Sequence, residues 1–368
     1  MLDFTPTEEQ QMLVDAIKRY ATNDLQPNAH KMDENSEVPE AIIQKGWEIG
    51  LIPASIPEEL GGFGEYSAIT NVLALEELAY GDLASTLKLM APSLFAYPIL
   101  FNGTDDQRAR FLPLLAEEKP YPATAALNEP GISFDPFAQQ TTVAREDDCF
   151  VLNGVKANVP NAEGAEWLLV YASDSETGQV GGYLVQNNAE GLEITRREKM
   201  MGIQGLAAYQ VQLSNVRVGA DLALNGGDPI DFQRLIDHMN IGVAAVGTGV
   251  MRASYEYAIE YAKDRVQFGQ PIATKQAIAF MLAECAIEVD STRLLAWEAA
   301  WHIDEGKPAA EITKAAYLAR EYANKASLQV TDSGVQVLGG HGFIREHPVE
   351  RYLRNARGLP VFTGLTMA

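Results

Sequence analysis

The stretch DRVQFGQPIATKQ, residues 264–276, separates two long segments with helical character. Arg265 closes the first segment, the pair Phe268–Gly269 breaks the helix, and Pro271 sets a turn. Gln276 then opens the second segment. Two long helices joined by such a brief connection are typical of a helical bundle.

Arg265 has two interpretations at this junction. A guanidinium between two helices is able to bind a phosphate through two parallel hydrogen bonds. Alternatively, it is a cation that faces the dipole at the end of its own helix. The spacing alone favours the second interpretation.

Helical patterns fill the chain on both sides of the junction. The segment before it contains Gly242, Gly247 and Gly249, and because glycine is unfavourable inside a helix, we expect these residues to allow close packing against a neighbour. Brief connections join the segments, so we predict a four-helix bundle over residues 228–368. The four helical segments are residues 235–266, 274–304, 309–338 and 347–357.

The third long segment ends in QVLGGHGF, residues 336–343. One interpretation is a glycine cap, with Gly339 or Gly340 in the left-handed conformation. The other is a stretch of backbone whose N–H groups face an anionic or adenine ligand. One glycine is enough for a cap, so three glycines invite the second interpretation.

The first 222 residues divide into two parts. Residues 1–120 show helical periodicity, whereas residues 121–222 show short alternating patterns typical of antiparallel strands. We therefore predict a mainly α, α+β chain. Its parts are an N-terminal helical domain (1–120), a middle β-barrel or sandwich (121–222) and the C-terminal bundle (228–368), with a linker near residues 219–229.

Two local patterns give sharper predictions. Thr5, followed three residues later by Glu8, predicts a capping box at the start of the first helix. Asn153–Gly154, placed between two apolar runs, predicts a two-residue hairpin turn.

Composition excludes several classes of function. The chain has 368 residues and a net charge of −22, with acidic residues spread along its length. Nucleic-acid binding and adsorption to an anionic membrane both need clustered cations, so this charge distribution argues against both. Cys149 and Cys285 are expected to be thiols, although a single disulfide is the alternative, and the five histidines lack metal-ligand spacing. With an acidic start and no apolar run long enough to span a bilayer, the chain is expected to be soluble and cytoplasmic.

A set of motifs along nearly the whole chain resembles the acyl-CoA dehydrogenase family. Singly these motifs are weak, but their order and spacing together are specific. They are GTDDQRARFLPLLA (103–116), LNEPG (127–131), FVLNGVKANV (150–159), MMGIQG (200–205), RVQFGQPI (265–272), LGGHGF (338–343) and EHPVERYLRNAR (346–357).

The resemblance implies FAD, an acyl-CoA thioester substrate and an oligomer built from two-fold dimers. It also implies a reaction in which a carboxylate removes the proton α to the thioester and flavin N5 takes a hydride from the β carbon. Hydrogen bonds to the thioester carbonyl stabilise the developing enolate. An electron-transfer flavoprotein is the implied acceptor of the electrons.

The position of the catalytic carboxylate is altered in this chain. Thr363, followed by Gly364, stands where most members have Glu followed by Gly, and a neutral hydroxyl is not a useful base near pH 7. Some members place the base on the first bundle helix, where this chain has Met239. Asp237 and His238 lie nearby, but a shift of one residue turns a helical side chain by about 100°. The catalytic residue therefore stays unassigned.

Positions around the flavin ring have changed as well. Pro160 replaces a hydroxyl residue that meets flavin N5, and Asn158 replaces an aromatic residue that stacks on the flavin. Asn240 replaces an Arg beside the usual base, so we expect the cation to be lost together with the carboxylate, because an unpaired buried charge is costly. In the LNEPG region, Asn128 replaces Thr, and Ser133–Phe134–Asp135 replaces Gly-Ser-Asp.

By contrast, the positions that reach across the family's dimer interface to the pyrophosphate and adenine of the neighbouring FAD are kept. They are Arg265, Phe268, Gln276, Gln336, Gly339 and Gly340. The favoured hypothesis is therefore a subunit that supplies FAD contacts to a paralogous partner chain. The alternatives are an active homo-oligomeric dehydrogenase with an unusual base and a flavin-free scaffold or acyl-CoA binding protein.

A basic cluster near the end of the chain has two interpretations. It is either a set of cations that offsets the negative field for a CoA-like ligand or an ordinary set of salt bridges with local carboxylates, and the second is favoured. The cluster consists of Arg345, Arg351, Arg354 and Arg357.

Overall fold

The computed structural model describes residues 6–131 and 134–368, so Ser133 of the altered motif lies outside the described residues. Helices fill the first third of the chain, and a π-helical turn at Ala21–Leu25 joins the first two. The helices are α1 (Glu8–Tyr20), α2 (Gln26–Asn35), α3 (Glu40–Trp47), α4 (Leu51–Ala54), α5 (Ala68–Gly81), α6 (Leu83–Met90), α7 (Ser93–Asn102) and α8 (Asp105–Phe111).

The first helix begins two residues later than predicted. The N-cap of α1 is Thr7, whose hydroxyl accepts from the N–H of Gln10, while the Gln10 side chain accepts from the N–H of Thr7. Thr5 lies outside the described residues, but Glu8 is the first residue of α1 and not the third, so the prediction that Glu8 completes the capping box is wrong. The sequence TPTEEQ contains two overlapping patterns with the correct spacing, and the second one is used.

The middle of the chain forms one curled sheet with its own core. Most strand pairs are antiparallel, but β4 pairs in parallel with both β1 and β2. The core inside the sheet is separate from the core that joins the helical parts. The strands are β1 (Ala123–Ala126), β2 (Thr142–Glu146), β3 (Cys149–Pro160), β4 (Trp167–Asp174), β5 (Val180–Gln186), β6 (Leu192–Arg197) and β7 (Ala208–Gly219).

The predicted hairpin turn at Asn153–Gly154 is wrong. Both residues lie inside β3, and the turn between β2 and β3 is Asp147–Asp148, in which Asp147 has φ of +50°. Gly154 instead marks an irregularity in the pairing of β3 with β7 and has φ of +151°. An added Cβ there would lie 2.6 Å from Cα of Thr141. Glycine is therefore needed because two segments of the backbone approach closely at this point.

The last third of the chain is a helical bundle built around one long central helix. It consists of α9 (Phe232–Asp264), α10 (Gln276–Asp304), α11 (Ala309–Leu338) and α12 (Val349–Gly358). The helix α9 packs against α10, α11 and α12 and also against α5 of the N-terminal part. The predicted fold class, with helical, β and helical parts in that order, is confirmed.

Glycines inside α9 allow neighbouring segments of the backbone to approach this helix closely, as the sequence predicted. A Cβ on Gly249 would lie 2.3 Å from the carbonyl oxygen of Glu76 on α5. A Cβ on Gly242 would lie 3.0 Å from the main-chain nitrogen of Met367. The helix axis can therefore come nearer to α5 and to the segment after α12 than a helix with side chains at these positions could.

The two cysteines are free thiols. Cys285 is buried in α10, whereas Cys149 at the start of β3 is partly exposed. Nη1 of Arg217 lies 3.2 Å from Sγ of Cys149.

No single helix within the described ranges is sufficiently long and apolar to cross a membrane. Among the described residues, one bent pair of helices, α6 and α7 with 43° between them, reaches the required length and composition when taken together.

Candidate functional site

The stretch between α9 and α10 folds into a very short hairpin. Its strands are β8 (Val266–Gln267) and β9 (Gln270–Pro271), and its two-residue tip is Phe268–Gly269. Both tip residues have positive φ, +53° for Phe268 and +79° for Gly269, as a tight hairpin turn requires. The Phe268 side chain is 92% exposed, so the turn presents an aromatic ring to solvent.

An open groove of about 510 Å³ lies beside this hairpin. Four of the six predicted cofactor-binding residues line it, namely Arg265, Phe268, Gly339 and Gly340. Gln276 and Gln336 are exposed on the adjoining turns of α10 and α11, outside the walls of the groove. The other lining residues are Tyr261, Gln267, Ile272, Lys275, Ile278, Val337, Leu338 and His341.

The double glycine forms one edge of the groove and also ends α11. Gly339 caps the helix with φ of +58° and ψ of −128°, a positive φ outside the left-handed helical region. Its N–H donates to the carbonyl oxygens of Val335 and Gln336, so this donor is used by the cap. A Cβ added at Gly339 or Gly340 would meet no atom within 4 Å, so a side chain at either position would project into open space.

The groove is a local positive site on a strongly acidic chain. Arg265 is exposed, and its guanidinium forms no ion pair within residues 6–131 and 134–368. Nζ of Lys275 lies 5.8 Å from the ring centroid of Phe268, within cation–π range. Against a net charge of −22, two cations beside exposed glycine backbone favour an anionic ligand here.

The position expected to carry the catalytic base lies elsewhere, in a buried segment after α12. Residues 362–368 are all buried, and Thr363 is 7% exposed. Gly364, with φ of +83°, turns the segment tightly against Leu127. Nη1 of Arg320 lies 3.5 Å from Oγ1 of Thr363, a long hydrogen bond.

Three models of one family match the chain in sequence order. The acyl-CoA dehydrogenase N-terminal domain matches residues 7–119, the middle domain matches residues 124–216, and the C-terminal domain matches residues 231–366. The chain belongs to the acyl-CoA dehydrogenase family. The motifs quoted from the sequence therefore predicted the family correctly.

Several known acyl-CoA dehydrogenases are similar over their whole length. The human mitochondrial short-chain specific acyl-CoA dehydrogenase is 34% identical, with 97% of this chain and 87% of that protein covered. The cyclohex-1-ene-1-carbonyl-CoA dehydrogenase of Geobacter metallireducens is 32% identical, with coverage of 97% and 95%. The solved structure of butyryl-CoA dehydrogenase from Megasphaera elsdenii is 31% identical, has a TM-score of 0.90, and covers 99% of this chain and 96% of that chain.

One expectation about this member of the family is wrong, because a cation is present beside Thr363. Arg320, on α11, places Nη1 3.4 Å from Oδ1 of Asn240 as well as 3.5 Å from Oγ1 of Thr363. Its Nη2 donates to Oε1 of Glu321 at 2.6 Å, so the charge is paired. Sequence reasoning missed Arg320 because it searched for a cation only on the first bundle helix.

The two ionisable residues next to Met239 bond to other partners. The carboxylate of Asp237 accepts from Thr313 at 2.7 Å and from Gln233 at 2.8 Å, and burial raises its pKa. Nδ1 of His238 lies 2.6 Å from the main-chain oxygen of Ala368, and burial lowers the pKa of His238 to about 3. His238 is therefore a neutral, fully buried ring.

Three of the altered positions expected around the flavin ring, Asn128, Asn158 and Pro160, lie where the LNEPG loop meets β3. The N–H of Ala157 donates to the carbonyl oxygen of Asn128 at 2.8 Å. Asn158 follows with φ of +52°, and Pro160 ends the strand opposite Ala208. Proline has no N–H, so this position offers no donor to a ligand.

Two of the four arginines in the basic cluster, Arg345 and Arg354, form salt bridges, so the favoured interpretation holds for these two. The guanidinium of Arg354 contacts both carboxylate oxygens of Asp33, at 3.1 and 2.6 Å. It also bonds to Glu350 at 2.7 Å, and Arg345 lies 3.9 Å from Glu34. Arg351 is buried.

Proposed function

We propose that this chain is a subunit of an FAD-dependent acyl-CoA dehydrogenase and that its groove holds the diphosphate and adenine part of the FAD of a paired subunit. The observation that carries the proposal is the exposed guanidinium of Arg265, which has no ion-pair partner among the described residues and lies in a groove next to Gly339 and Gly340. The residues suit this ligand. A guanidinium binds phosphate oxygens in pairs, and the exposed Phe268 ring offers a face for a flat base.

A row of exposed apolar side chains supports pairing with another subunit. Phe280, Ile287 and Leu294 are each more than half exposed and follow one another at intervals of seven residues, so they lie along one face of α10. Tyr317 and Leu318 are also exposed on the neighbouring α11. Exposed apolar side chains repeated along one helix face are typical of a protein–protein interface.

The partner that best complements this chain is a paralogous dehydrogenase subunit with an intact catalytic Glu. Thr363 has no basic group to offer, and Asp237 and His238 are bonded elsewhere. The partner would supply the carboxylate that removes the proton α to an acyl-CoA thioester. An electron-transfer flavoprotein would then accept the electrons.

The residues of this chain would act by binding and orienting. FAD, when bound, supplies the hydride acceptor for α,β-dehydrogenation of the thioester. Arg265 would neutralise the diphosphate and Phe268 would cover the adenine, while the two glycines would let the ligand approach the backbone. At its own base position, the hydroxyl of Thr363 would bond to Arg320 without taking a proton from substrate.

The first test is an absorbance spectrum from 300 to 550 nm of the chain purified alone, with and without added FAD, and then co-expressed with a paralogous dehydrogenase. We expect stable flavin bands after gel filtration, and reduction of a dye by butyryl-CoA, only in the mixed assembly. Dye reduction by the chain alone would show an active homo-oligomer instead. A protein without flavin in both preparations would indicate a scaffold or acyl-CoA binding protein.

Variants of the mixed assembly test whether FAD retention depends on residues of the groove. Arg265→Ala is expected to lower FAD retention at least tenfold, because hydrogen bonds to a charged group are among the stronger ones. Lys263→Ala is the matched control, since Lys263 is an exposed cation at the same end of α9 that pairs with Glu260. Equal retention of FAD by both variants would contradict the assignment of the groove.

A further inference from the structure

The groove contains an imidazole that the proposed function does not yet use. His341 follows the double glycine and lines the groove together with Arg265. Its Nδ1 lies 2.7 Å from the hydroxyl oxygen of Tyr261, on α9. Its Nε2 has no hydrogen-bond partner in the two described ranges of the chain.

A second histidine and a second tyrosine hold this ring in place. His347 stacks on His341 with ring centroids 5.4 Å apart and an angle of 16° between the planes. Nδ1 of His347 lies 2.7 Å from the hydroxyl oxygen of Tyr257. Tyr257 and Tyr261 are one helical turn apart on α9, so one face of this helix holds both imidazoles.

The contact with Tyr261 occupies Nδ1 of His341, so Nε2 is the ring nitrogen left for a ligand. A phenol hydroxyl that donates to Nδ1 leaves the proton of the neutral ring on Nε2, which then is a donor. Arg265 is the extended residue that caps α9, four residues after Tyr261. Arg265, Tyr261 and His341 all line the groove.

We propose that His341 is a further dinucleotide-binding residue whose Nε2–H donates to a diphosphate oxygen beside Arg265. This inference rests on the proposed function, because it assigns a ligand contact within the same groove. Tyr261 is the positioning residue for this contact, and the ring of His347 supports the His341 ring by stacking on it.

The test compares two substitutions at the same position in the assembled protein. His341→Gln keeps an N–H donor near the place of Nε2, whereas His341→Met removes it. We expect His341→Met to raise the dissociation constant of FAD, measured by flavin fluorescence, about tenfold, since the acceptor is charged. His341→Gln is expected to stay within about threefold of the unaltered protein because its donor is kept.

Two further variants separate ligand binding from a structural role. Tyr261→Phe is expected to weaken FAD binding by an intermediate amount, because the ring then loses the partner that keeps its proton on Nε2. Tyr257→Phe removes a hydroxyl that contacts His347 and is expected to leave FAD binding unchanged. If His341→Met, His341→Gln and Tyr257→Phe all weaken binding equally, His341 only supports the fold and the proposal is overturned.

Calorimetric titration with ADP tests the contact independently of the flavin. ADP carries the diphosphate without the flavin ring. His341→Met should therefore weaken the binding of ADP about as much as it weakens the binding of FAD. Binding of ADP that depends on His341, in an assembly that never retains FAD, would overturn the proposed function and leave this inference standing. FAD and ADP binding that is equal in His341→Met and the unaltered protein would overturn this inference alone. Failure of the unaltered protein to bind either ligand would overturn both.

Discussion

The guanidinium of Arg320 lies beside the hydroxyl of Thr363, with Nη1 and Oγ1 3.5 Å apart. The two residues come from different elements, since Arg320 is on α11 and Thr363 follows α12. Asn240 on α9 completes the group, and its Oδ1 lies 3.4 Å from the same nitrogen. The position that carries Glu in most acyl-CoA dehydrogenases is thus a neutral, polar site with a cation at its edge.

This arrangement predicts the behaviour of Thr363→Glu. The new carboxylate would lie beside Arg320, so the variant is expected to fold and to keep the carboxylate ionised. We nevertheless expect no strong dehydrogenase activity, because Pro160 and Asn158 still alter the flavin site. The measurement is dye reduction with butyryl-CoA by the variant chain purified alone and supplied with FAD.

Thr363→Gln is the control for this substitution, because it adds similar volume without a base. A well-placed general base contributes about 10²- to 10⁴-fold to a rate. Turnover that rises by this factor in Thr363→Glu and not in Thr363→Gln would show that the flavin site is intact and that only the base is missing.

The sequence predicted the order of the three parts because each part has its own periodicity. It also predicted that six residues belong to one site. The structure brings Arg265, Phe268, Gly339 and Gly340 to one groove, whereas Gln276 and Gln336 lie outside its walls. Motif order carried that inference, because residues 265 and 339 are far apart in the chain and no local pattern relates them.

Two of the misses have a common physical cause, which is that one local pattern fits two structures. Gly154 fits a hairpin tip and also a close approach between two segments, and only its contact with Thr141 in the folded chain decides between them. Thr5 and Thr7 both satisfy the spacing of a capping box. Arg320 was missed because a contact between α11 and the segment after α12 leaves no trace in local sequence.

A buried ion pair in the middle domain leads to a stability prediction. Nζ of Lys156 is fully buried and bonds to Glu129 at 2.9 Å, to Gln139 at 2.8 Å and to the carbonyl oxygen of Leu127 at 3.1 Å. Burial lowers the pKa of Lys156 to about 8. For Glu129, burial opposes ionisation, but Lys156 and the N–H groups of Gln140 and Thr141 together lower its pKa.

Lys156→Met is expected to reduce the free energy of unfolding by about 3 kcal/mol, because it leaves the Glu129 carboxylate buried without its cation. Urea denaturation at pH 7 measures the change. The double variant Lys156→Met/Glu129→Gln should recover part of the loss, since neither charge is then buried alone. A double variant that is less stable than Lys156→Met would show that the pair does not act as a unit.

The neutral His238 predicts a loss of stability in acid. Its pKa is lowered to about 3 in the folded chain, compared with about 6.5 in an unfolded one. Below pH 6.5 the unfolded chain therefore binds a proton that the folded chain does not, so stability falls as the pH drops from 6.5 towards 3. The slope of this contribution approaches 1.36 kcal/mol per pH unit, or about 2 kcal/mol between pH 6.5 and pH 5.

The measurement is the free energy of unfolding at pH 7 and pH 5 for the unaltered chain and for His238→Gln. The variant is expected to be less stable at pH 7 but to lose less on acidification. Asp237, whose pKa is raised by burial, contributes with the opposite sign and is present in both proteins, so the difference between them isolates His238. Parallel losses in the two proteins would show that His238 takes up its proton in the folded state.

Gly249 and Gly247 on α9 allow a matched pair of substitutions, because each faces a different neighbouring segment of the fold. A Cβ on Gly249 would lie 2.3 Å from the carbonyl oxygen of Glu76 and 2.8 Å from the nitrogen of Tyr80, both backbone atoms of α5. A Cβ on Gly247 would meet only side-chain atoms, Cδ1 of Leu359 at 3.3 Å and Cβ of Ala323 at 3.6 Å. Alanine is favoured over glycine within a helix by about 1 kcal/mol, so propensity alone predicts that both substitutions stabilise the chain.

Packing separates the two outcomes. Gly249→Ala is expected to lower the free energy of unfolding by about 1–3 kcal/mol, because α5 and α9 must move apart to admit the methyl group. Gly247→Ala is expected to be neutral or slightly stabilising, because the Leu359 side chain is able to rotate away. Thermal unfolding of both variants checks the prediction, and equal melting temperatures would mean that α5 and α9 do not pack as closely in solution as this contact requires.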